Sequence, residues 1–334
     1  MRKWLPRLLL GLLLGLLGFV FGFLPYFLAG VFTIRTFQMK DAENQGLTPA
    51  SLGLPSEDVT FKARDGIPLS GWWVPAPGAK GTVLLVHGLN RSRLEMVKKA
   101  PFLNRLGWNA LLFDLRRHGE SGGTVRSLGY HERNDVLGAA DFAHSRFPGP
   151  VVAWGISFGG AAATLAAAED AQIAGLVCDS SFRSLRDTAR YHLALFRRMA
   201  ADELRRPKNG EPPSSLSRRL LFRSLLLVPP WPTSDLAVFW MGWRAGFDPD
   251  ALDVVKAASK LGSRPALFVA GTHDERMPPE IASDLAKAAG PSAKTLVITS
   301  EGHGHAYRDG TAAYEAAVTS LLESVTSFSK GELR

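Results

Sequence analysis

The sequence predicts an α/β protein with a doubly wound, mainly parallel sheet, preceded by one membrane-spanning helix. Short apolar runs typical of buried strands alternate with helical segments along the chain. Residues 8–34 carry no charge and consist mostly of Leu, Gly and Phe. Residues 151–165 have the pattern of a buried strand, a sharp turn and a helix, with Ser157 at the turn. The predicted organisation is an anchor at 1–36, a linker at 37–56, a core at 57–182 and 248–334, and an inserted segment at 183–247.

Composition places the chain among globular proteins. It has 334 residues, of which 46% are hydrophobic and 21% are charged, which excludes a disordered or fibrous protein. The single cysteine, Cys178, excludes intramolecular disulfides. The net charge is +8, but the sequence contains a membrane segment and no nucleic-acid motif. A nucleic-acid partner is therefore not expected. The sequence has no metal-ligand cluster, phosphate loop or dinucleotide fingerprint, so neither a metal nor another cofactor is expected.

The N-terminal apolar run is long enough to cross a bilayer. As a helix, residues 8–34 would measure about 40 Å, against a hydrocarbon thickness of about 30 Å. A cleaved signal peptide is the alternative, but the run exceeds the usual length and Phe27-Leu28-Ala29 is a poor cleavage site. Basic residues without nearby acids precede the run, whereas acids accompany the basic residues after it. This charge bias favours a single-pass protein with a cytoplasmic N-terminus and the remainder on the non-cytoplasmic side. The residues are Arg2, Lys3 and Arg7 before the run, and Arg35, Lys40, Asp41 and Glu43 after it.

The first part of the core begins with a hairpin and continues with alternating strands and helices. Two β-type runs flank the turn dipeptide Asp65-Gly66. The next apolar strand ends in His87-Gly88-Leu89-Asn90, where we expect His87 to hold the loop in place. The predicted strands are 59–64, 67–74, 82–86, 109–113, the run from 151 and 173–178, and the predicted helices are 94–106, 130–147 and the run after Ser157.

Ser157 lies in the pattern Gly-x-Ser-x-Gly. A strand that reverses into a helix within about two residues strains the backbone, and side chains at the neighbouring positions would collide. Gly155 and Gly159 remove those collisions. The serine hydroxyl is then lifted beyond the sheet, beside the free N–H groups of a helix N-terminus. This is the geometry of a nucleophile elbow.

The motifs together resemble the α/β-hydrolase superfamily, in its serine-aminopeptidase-like and lipase-like branch. The resemblance is carried by a strand followed by Asp114-x-Arg116-x-x-Gly119-x-Ser121 and then by the Ser157 elbow. It implies that Ser157 is a nucleophile and that the backbone N–H groups of Leu89 and Phe158 bind an oxyanion. Asp114, Arg116 and His118 are expected to fix their loop through hydrogen bonds and ion pairs.

Residues 183–247 resemble the cap insertion of many α/β-hydrolases. The segment is rich in arginine and in aromatic residues, including Trp231 and Trp243. Two interpretations stay open. The segment either faces acidic lipid head groups, gaining from apolar burial and charge attraction, or is an ordinary solvated helical insertion.

The second part of the core supplies candidates for the base and the acid. Serine needs an imidazole to accept its proton and a carboxylate to orient that imidazole. Asp274 follows the apolar strand 266–270, and Asp179 is the alternative acid after strand 173–178. After strand 294–299, the Gly-x-Gly-His-Ala arrangement favours His305 as the base, with His303 as the alternative. Predicted helices at 248–261, 281–289 and 311–328 complete the fold.

These features predict a membrane-anchored serine hydrolase that cleaves carboxylic esters through an acyl-enzyme. A lipid or long-acyl ester is the favoured substrate, because an apolar insertion near a bilayer would attract such molecules. A peptidase or thioesterase of the same fold is the first alternative. A non-enzymatic membrane protein that uses the same scaffold for binding is the second.

Overall fold

The computed structural model of the protein describes residues 4–34, 41–205 and 216–331. The strands are β1 Glu57–Lys62, β2 Pro68–Val74, β3 Thr82–Val86, β4 Asn109–Phe113, β5 Val151–Ile156, β6 Ile173–Asp179, β7 Ala266–His273 and β8 Ala293–Glu301. The α-helices are α1 Leu5–Gly18, α2 Leu24–Thr33, α3 Ala100–Arg105, α4 Glu132–Arg146, α5 Phe158–Glu169, α6 Leu185–Arg205, α7 Leu216–Leu227, α8 Pro230–Ala245, α9 Val254–Ala258, α10 Glu280–Ala289, α11 Ala306–Asp309 and α12 Thr311–Gly331.

The chain forms two compact units. One comprises Met1–Thr33 and Leu185–Asp250, and the other comprises Ile34–Ser184 and Ala251–Arg334. The N-terminal helix and the inserted segment therefore belong to one unit, which we call the helical unit. The other, which holds the sheet, we call the core unit. Parts of two predictions lie outside the described residues: the charge bias at Arg2, Lys3, Arg35 and Lys40, and positions 206–215 of the insertion.

The sheet of the core unit has eight strands in the order β1-β2-β4-β3-β5-β6-β7-β8. Strands β1, β2 and β4 pair antiparallel, whereas all pairings from β4 through β3 to β8 are parallel. The carboxyl ends of β5, β7 and β8 therefore lie at the same edge of the sheet. The predicted doubly wound, mainly parallel sheet is confirmed.

Helices cover both faces of this sheet. Alternate strand residues such as Val83 and Leu85 join one buried cluster with Phe102 of α3 and Val318 of α12. Helices α4 and α5 also pack on the strands but contribute nothing to that cluster, so they cover the opposite face. The predicted helix 94–106 is divided: residues Arg93–Lys99 form a 3-10 helix, and α3 begins only at Ala100. Pro101, at the second position of α3, lacks the N–H that a continuous helix would need there.

The helical unit contains the candidate membrane span. Helix α1, a π-helical turn at Phe19–Phe23 and α2 follow one another, and together Leu5–Thr33 form 29 helical residues. An 18-residue window within them has a mean hydropathy of 2.4. Within the same unit, α2 packs against α8, and α6 packs against both α7 and α8. The insertion is thus helical, and one of its helices contacts the N-terminal helix.

Candidate active site

The turn between β5 and α5 has the strained geometry that the sequence predicts. Ser157 has φ 55° and ψ −119°, a backbone conformation that residues other than glycine rarely adopt. A Cβ atom on Gly155 would lie 2.3 Å from the carbonyl oxygen of Gly159, and a Cβ atom on Gly159 would lie 2.3 Å from that of His87. Neither position can hold a side chain without moving the backbone. These two glycines therefore permit the turn that presents the Ser157 hydroxyl beyond the end of β5.

Ser157 makes a hydrogen bond to His303, and His303 makes one to Asp274. The distance from Ser157 Oγ to His303 Nε2 is 2.8 Å, and that from His303 Nδ1 to Asp274 Oδ2 is 2.7 Å. Because an ionised carboxylate only accepts hydrogen bonds, Nδ1 carries the proton toward Asp274. Nε2 is then free to accept the hydrogen of the serine hydroxyl. The three side chains form a continuous chain of hydrogen bonds.

The prediction of His305 as the partner of Ser157 is wrong, because His303 occupies that place. Gly302 and Gly304, on either side of His303, have φ 82° and φ 75°. This double left-handed turn directs His303 toward Ser157, and Gly304 lies close to Ile156 at the end of β5. His305 occupies the N-cap position of α11 instead, and its Nδ1 makes a hydrogen bond with the carbonyl oxygen of Glu301.

Asp274 lies in the loop after β7 with a fully buried side chain. Burial acts to raise the pKa of this carboxyl. The hydrogen bond and charge of His303, together with the backbone N–H groups of Met277 and Arg276, outweigh that effect and hold the pKa below its ordinary value. The group is therefore an anion at neutral pH, as the orientation of His303 requires.

Asp179, the alternative acid, has other partners. Its carboxylate accepts hydrogen bonds from Tyr314 at 3.0 Å and from Ser180 at 2.8 Å. Its backbone carbonyl accepts the N–H of Ser157 at 2.7 Å. Among the described residues it makes no hydrogen bond to either His303 or His305. Asp179 thus holds the backbone of the turn at Ser157, whereas Asp274 is the carboxylate that contacts the imidazole of His303.

The backbone N–H groups of Leu89 and Phe158 are available for a ligand. In the loop after β3, Gly88 N–H donates to Glu95 Oε2 at 2.6 Å and Asn90 N–H donates to His118 Nε2 at 3.3 Å. Leu89 lies between these two, and its N–H has no acceptor among the described residues. Phe158 is the first residue of α5, so its N–H has no partner within the helix. Both candidate oxyanion donors are therefore free.

Two buried histidines hold the Leu89 loop. His87 is fully buried; its Nε2 accepts Leu115 N–H at 3.0 Å, so its Nδ1 carries the proton and donates to the carbonyl of Gly88 at 2.8 Å. His118 likewise accepts from Asn90 and donates from Nδ1 to the carbonyl of Arg116 at 2.9 Å. Burial lowers the pKa of His87 to about 4, and burial followed by the proximity of His87 lowers the pKa of His118 to about 3. Both rings are neutral above those values, as their hydrogen bonds require.

The segment after β4 is fixed as the sequence predicts. Asp114 accepts the N–H of Arg93 at 2.7 Å and that of Glu120 at 3.0 Å. Arg116 is buried and forms bidentate bonds with Asp65, while also contacting Asp135 at 2.7 Å. These bonds join the loop to neighbouring segments and do not involve Ser157, so Asp114 and Arg116 have a structural role.

We expect the protein to lose stability in mild acid through His87 and His118. Their folded-state pKa values lie below the unfolded value, so the unfolded chain binds protons first as the pH falls. The stabilisation is fully present above about pH 6.5 and decreases toward about pH 4 for His87 and about pH 3 for His118, by roughly 1.4 kcal/mol per pH unit for each histidine. Thermal unfolding of the detergent-solubilised protein from neutral pH to about pH 5 would show this decrease.

Variants identify the source of that pH dependence. His87→Gln removes one titrating group and should flatten the decline, although it lowers stability at neutral pH. His118→Gln provides a second, independent variant. His144→Gln is the matched control, because His144 is exposed on α4. An unchanged pH slope in both loop variants would contradict the assignment.

Comparison with known proteins places this site in a family. Residues 77–307 match the family model described as serine aminopeptidase, S33. YqkD, an uncharacterised protein of Bacillus subtilis, is 26% identical over 264 residues, which cover 78% of this chain and 77% of that protein. YfhR of Salmonella typhi, also uncharacterised, is 32% identical over 170 residues, covering 45% and 56% respectively.

Solved structures show the same fold. The esterase Pf2001 of Pyrococcus furiosus superposes with a TM-score of 0.66 at 22% identity, covering 87% of this chain and 98% of that one. At this level of identity the likeness concerns the fold alone. Since the family model matches more than half of the sequence, the chain belongs to the serine aminopeptidase S33 family of α/β-hydrolases.

Proposed function

We propose that the protein is a membrane-anchored serine hydrolase that cleaves carboxylic esters through an acyl-enzyme. Ser157 is the nucleophile, His303 the general base and acid, and Asp274 the carboxylate that orients His303. The observation that carries this proposal is the hydrogen-bonded series Ser157–His303–Asp274, with heavy-atom distances of 2.8 and 2.7 Å. Such a series supplies each group that a serine nucleophile needs at neutral pH.

Acylation starts when Ser157 Oγ attacks the ester carbonyl carbon and His303 Nε2 accepts the hydroxyl proton. The carbonyl oxygen becomes an oxyanion, which the free N–H groups of Leu89 and Phe158 are placed to bind. Collapse of the tetrahedral intermediate breaks the bond to the alcohol oxygen, and His303 returns its proton to that oxygen. The alcohol leaves, and the acyl group remains on Ser157.

Deacylation repeats these steps with water. His303 removes a proton from water, the resulting hydroxide attacks the acyl carbon, and the bond to Ser157 Oγ breaks with return of the proton to the serine. The products are a carboxylic acid and regenerated enzyme. Asp274 stabilises the imidazolium in both halves of the cycle without itself being protonated, in agreement with its lowered pKa.

Amide hydrolysis is the second candidate, because the matching family is described as a serine aminopeptidase. Two solved neighbours of the same fold are described as an esterase and a putative aryl esterase, and we extend ester cleavage to this chain as part of the proposal. Nitrophenyl esters of increasing acyl length and aminoacyl nitroanilides would separate the two. We expect turnover of esters, and a preference for longer acyl chains if lipid esters are the substrate. Exclusive turnover of the nitroanilides would replace the ester assignment with a peptidase.

Active-site labelling tests the proposed nucleophile directly. A fluorophosphonate phosphonylates a serine that an adjacent imidazole activates: the serine oxygen bonds to phosphorus and fluoride leaves. Peptide mass spectrometry then locates the adduct. We expect one adduct, on Ser157, with loss of ester turnover in proportion to labelling. Labelling of another serine, or complete labelling with full turnover, would exclude Ser157 as the nucleophile.

Packing within the helical unit supports a retained anchor over a cleaved signal peptide. Pro25, Ala29 and Thr33 recur every four residues on one face of α2 and are buried. Because α2 packs against α8, removal of the N-terminal helix would expose the facing surface of α8. We therefore propose that the helix stays on the mature protein and crosses the bilayer once. The basic residues that precede the apolar run without nearby acids favour the core unit on the non-cytoplasmic side of that bilayer. Intact-mass measurement of membrane-extracted protein would reveal any cleavage.

A further inference from the structure

Helix α8 is attached to the C-terminal part of the N-terminal helix through specific side chains. The ring of Tyr26 packs edge-on against that of Trp240, with centroids 5.3 Å apart. The guanidinium of Arg244 lies 3.8 Å from the centroid of the Tyr26 ring, and a Cβ atom on Gly30 would lie 3.6 Å from its Cζ. Where α2 meets α8, its buried positions are Pro25, Ala29 and Thr33. Small side chains at Ala29 and Gly30 permit this close approach.

The length of the N-terminal helix indicates how deep in the bilayer the contact between α2 and α8 lies. Its 29 residues extend about 44 Å, whereas the hydrocarbon layer is about 30 Å thick and takes roughly 20 residues. Counting from Arg7, the last charged residue before the apolar run, places the far boundary of the hydrocarbon near Phe27. Tyr26 and Gly30 are then at the level of the lipid head groups. The residues of α8 that contact them, Trp240 and Arg244, are at the same level.

Helix α8 has an exposed aromatic row beside this contact. Phe239 and Trp243 are one turn apart, and 56% and 66% of their surfaces are accessible. Trp231, before the regular part of the helix, is 73% accessible. Large aromatic residues exposed side by side are costly in water, whereas tryptophan and tyrosine are favoured at membrane interfaces.

Arginines of the same unit add positive charge. Arg186 and Arg190 form ion pairs with Asp235, and Arg186 also pairs with Asp250. Three other arginines of α6 and α7 are exposed and have no acidic partner within the described part of the chain. Unpaired arginines near a bilayer attract anionic head groups. They are Arg198, Arg219 and Arg223.

We propose that α8 is an interfacial helix that lies in the leaflet at the C-terminal end of the span, with Phe239 and Trp243 among the lipids. Anionic phospholipid head groups bind the unpaired arginines of α6 and α7. These lipids belong to the bilayer that the N-terminal helix crosses, because α8 packs against that helix where it leaves the hydrocarbon layer. This inference rests on the membrane anchor of the proposed function, but not on its chemistry.

Depth-dependent quenching of tryptophan fluorescence tests this placement. The full chain is reconstituted into phosphatidylcholine and phosphatidylglycerol vesicles whose acyl chains carry bromine near the glycerol end. Trp4, Trp231, Trp240 and Trp243 are the tryptophans of the helical unit. We therefore expect Trp243→Phe to remove about a quarter of the quenched intensity. Trp108→Phe is the matched control, because Trp108 is buried in the core unit and should contribute none of it.

The outcomes distinguish this inference from the proposed anchor. If the protein resists alkaline extraction but Trp243→Phe leaves the quenched intensity unchanged, the anchor stands and the placement of α8 is wrong. If alkaline extraction releases the protein, the anchor and this inference both fail, while fluorophosphonate labelling reports separately on the hydrolase. Vesicles without phosphatidylglycerol should reduce the Trp243-dependent quenching. Equal quenching in neutral vesicles would overturn the role of the arginines.

Discussion

Ser157→Ala should reduce kcat for ester hydrolysis by about 10⁴-fold or more and leave the fold intact. The substitution removes the only atom that can form the acyl-enzyme. What remains is the slow attack of water on an ester held by the backbone donors. Folding should be little affected, since in the described part of the chain Ser157 Oγ makes its hydrogen bond to His303 alone, and the side chain is only half-buried.

The comparison needs a serine outside the site and a check on folding. Ser145→Ala is suitable, because Ser145 is exposed on α4 and its hydroxyl donates to the carbonyl oxygen of Phe142 in the same helix. Steady-state turnover of a short nitrophenyl ester and thermal unfolding would be measured for both variants. We expect wild-type turnover for Ser145→Ala and nearly equal unfolding temperatures for all three proteins. A Ser157→Ala variant that keeps more than about a tenth of the turnover would rule out a covalent serine mechanism.

Much of the core unit could be predicted because its local and global signals agree. Strands of a parallel sheet are buried on both faces, so they appear in sequence as continuous apolar runs such as Thr82–Val86 and Val151–Ile156. Asp274 could be located because it follows such a strand. The elbow could be predicted because the turn leaves no room for a side chain at positions 155 and 159, and both are glycine in the sequence.

The choice of histidine could not be settled in the same way. His303 and His305 share one short loop, and each has a glycine immediately before it. What separates them is the backbone path: Gly302 and Gly304 both take positive φ, so His303 alone is turned toward Ser157. The glycines that flank His303 on both sides were the available signal, since glycine adopts positive φ readily and a sharp turn is possible on each side of this histidine.

The contact between α2 and α8 also could not be predicted from the sequence. A helix face that meets lipid and a face that meets another helix are both apolar, so hydropathy does not distinguish them. The recurrence of small or compact residues at Pro25, Ala29 and Thr33 indicates a close helix contact but does not identify the partner. That partner, α8, lies about two hundred residues further along the chain, and only the packing of the helical unit associates the two.

The two histidines give the sharpest contrast between sequence and structure. His303→Ala should reduce kcat/KM by about 10³-fold or more, because His303 is the one side chain among the described residues that makes a hydrogen bond to Ser157 Oγ. His305→Ala should cost less than about tenfold, since its ring bonds the Glu301 carbonyl and not the serine. Each kcat/KM would be measured with the same nitrophenyl ester, alongside thermal unfolding to exclude misfolding.

Chemical rescue distinguishes a base from a positioning residue. The His303 side chain is 19% accessible, so a free imidazole can enter the space that His303→Ala leaves between Ser157 and the buried carboxylate of Asp274. Added imidazole should restore part of the turnover of His303→Ala, with a dependence on pH that follows the imidazole added. It should have no effect on His305→Ala. A larger loss in His305→Ala, or rescue of that variant alone, would return the role of base to His305.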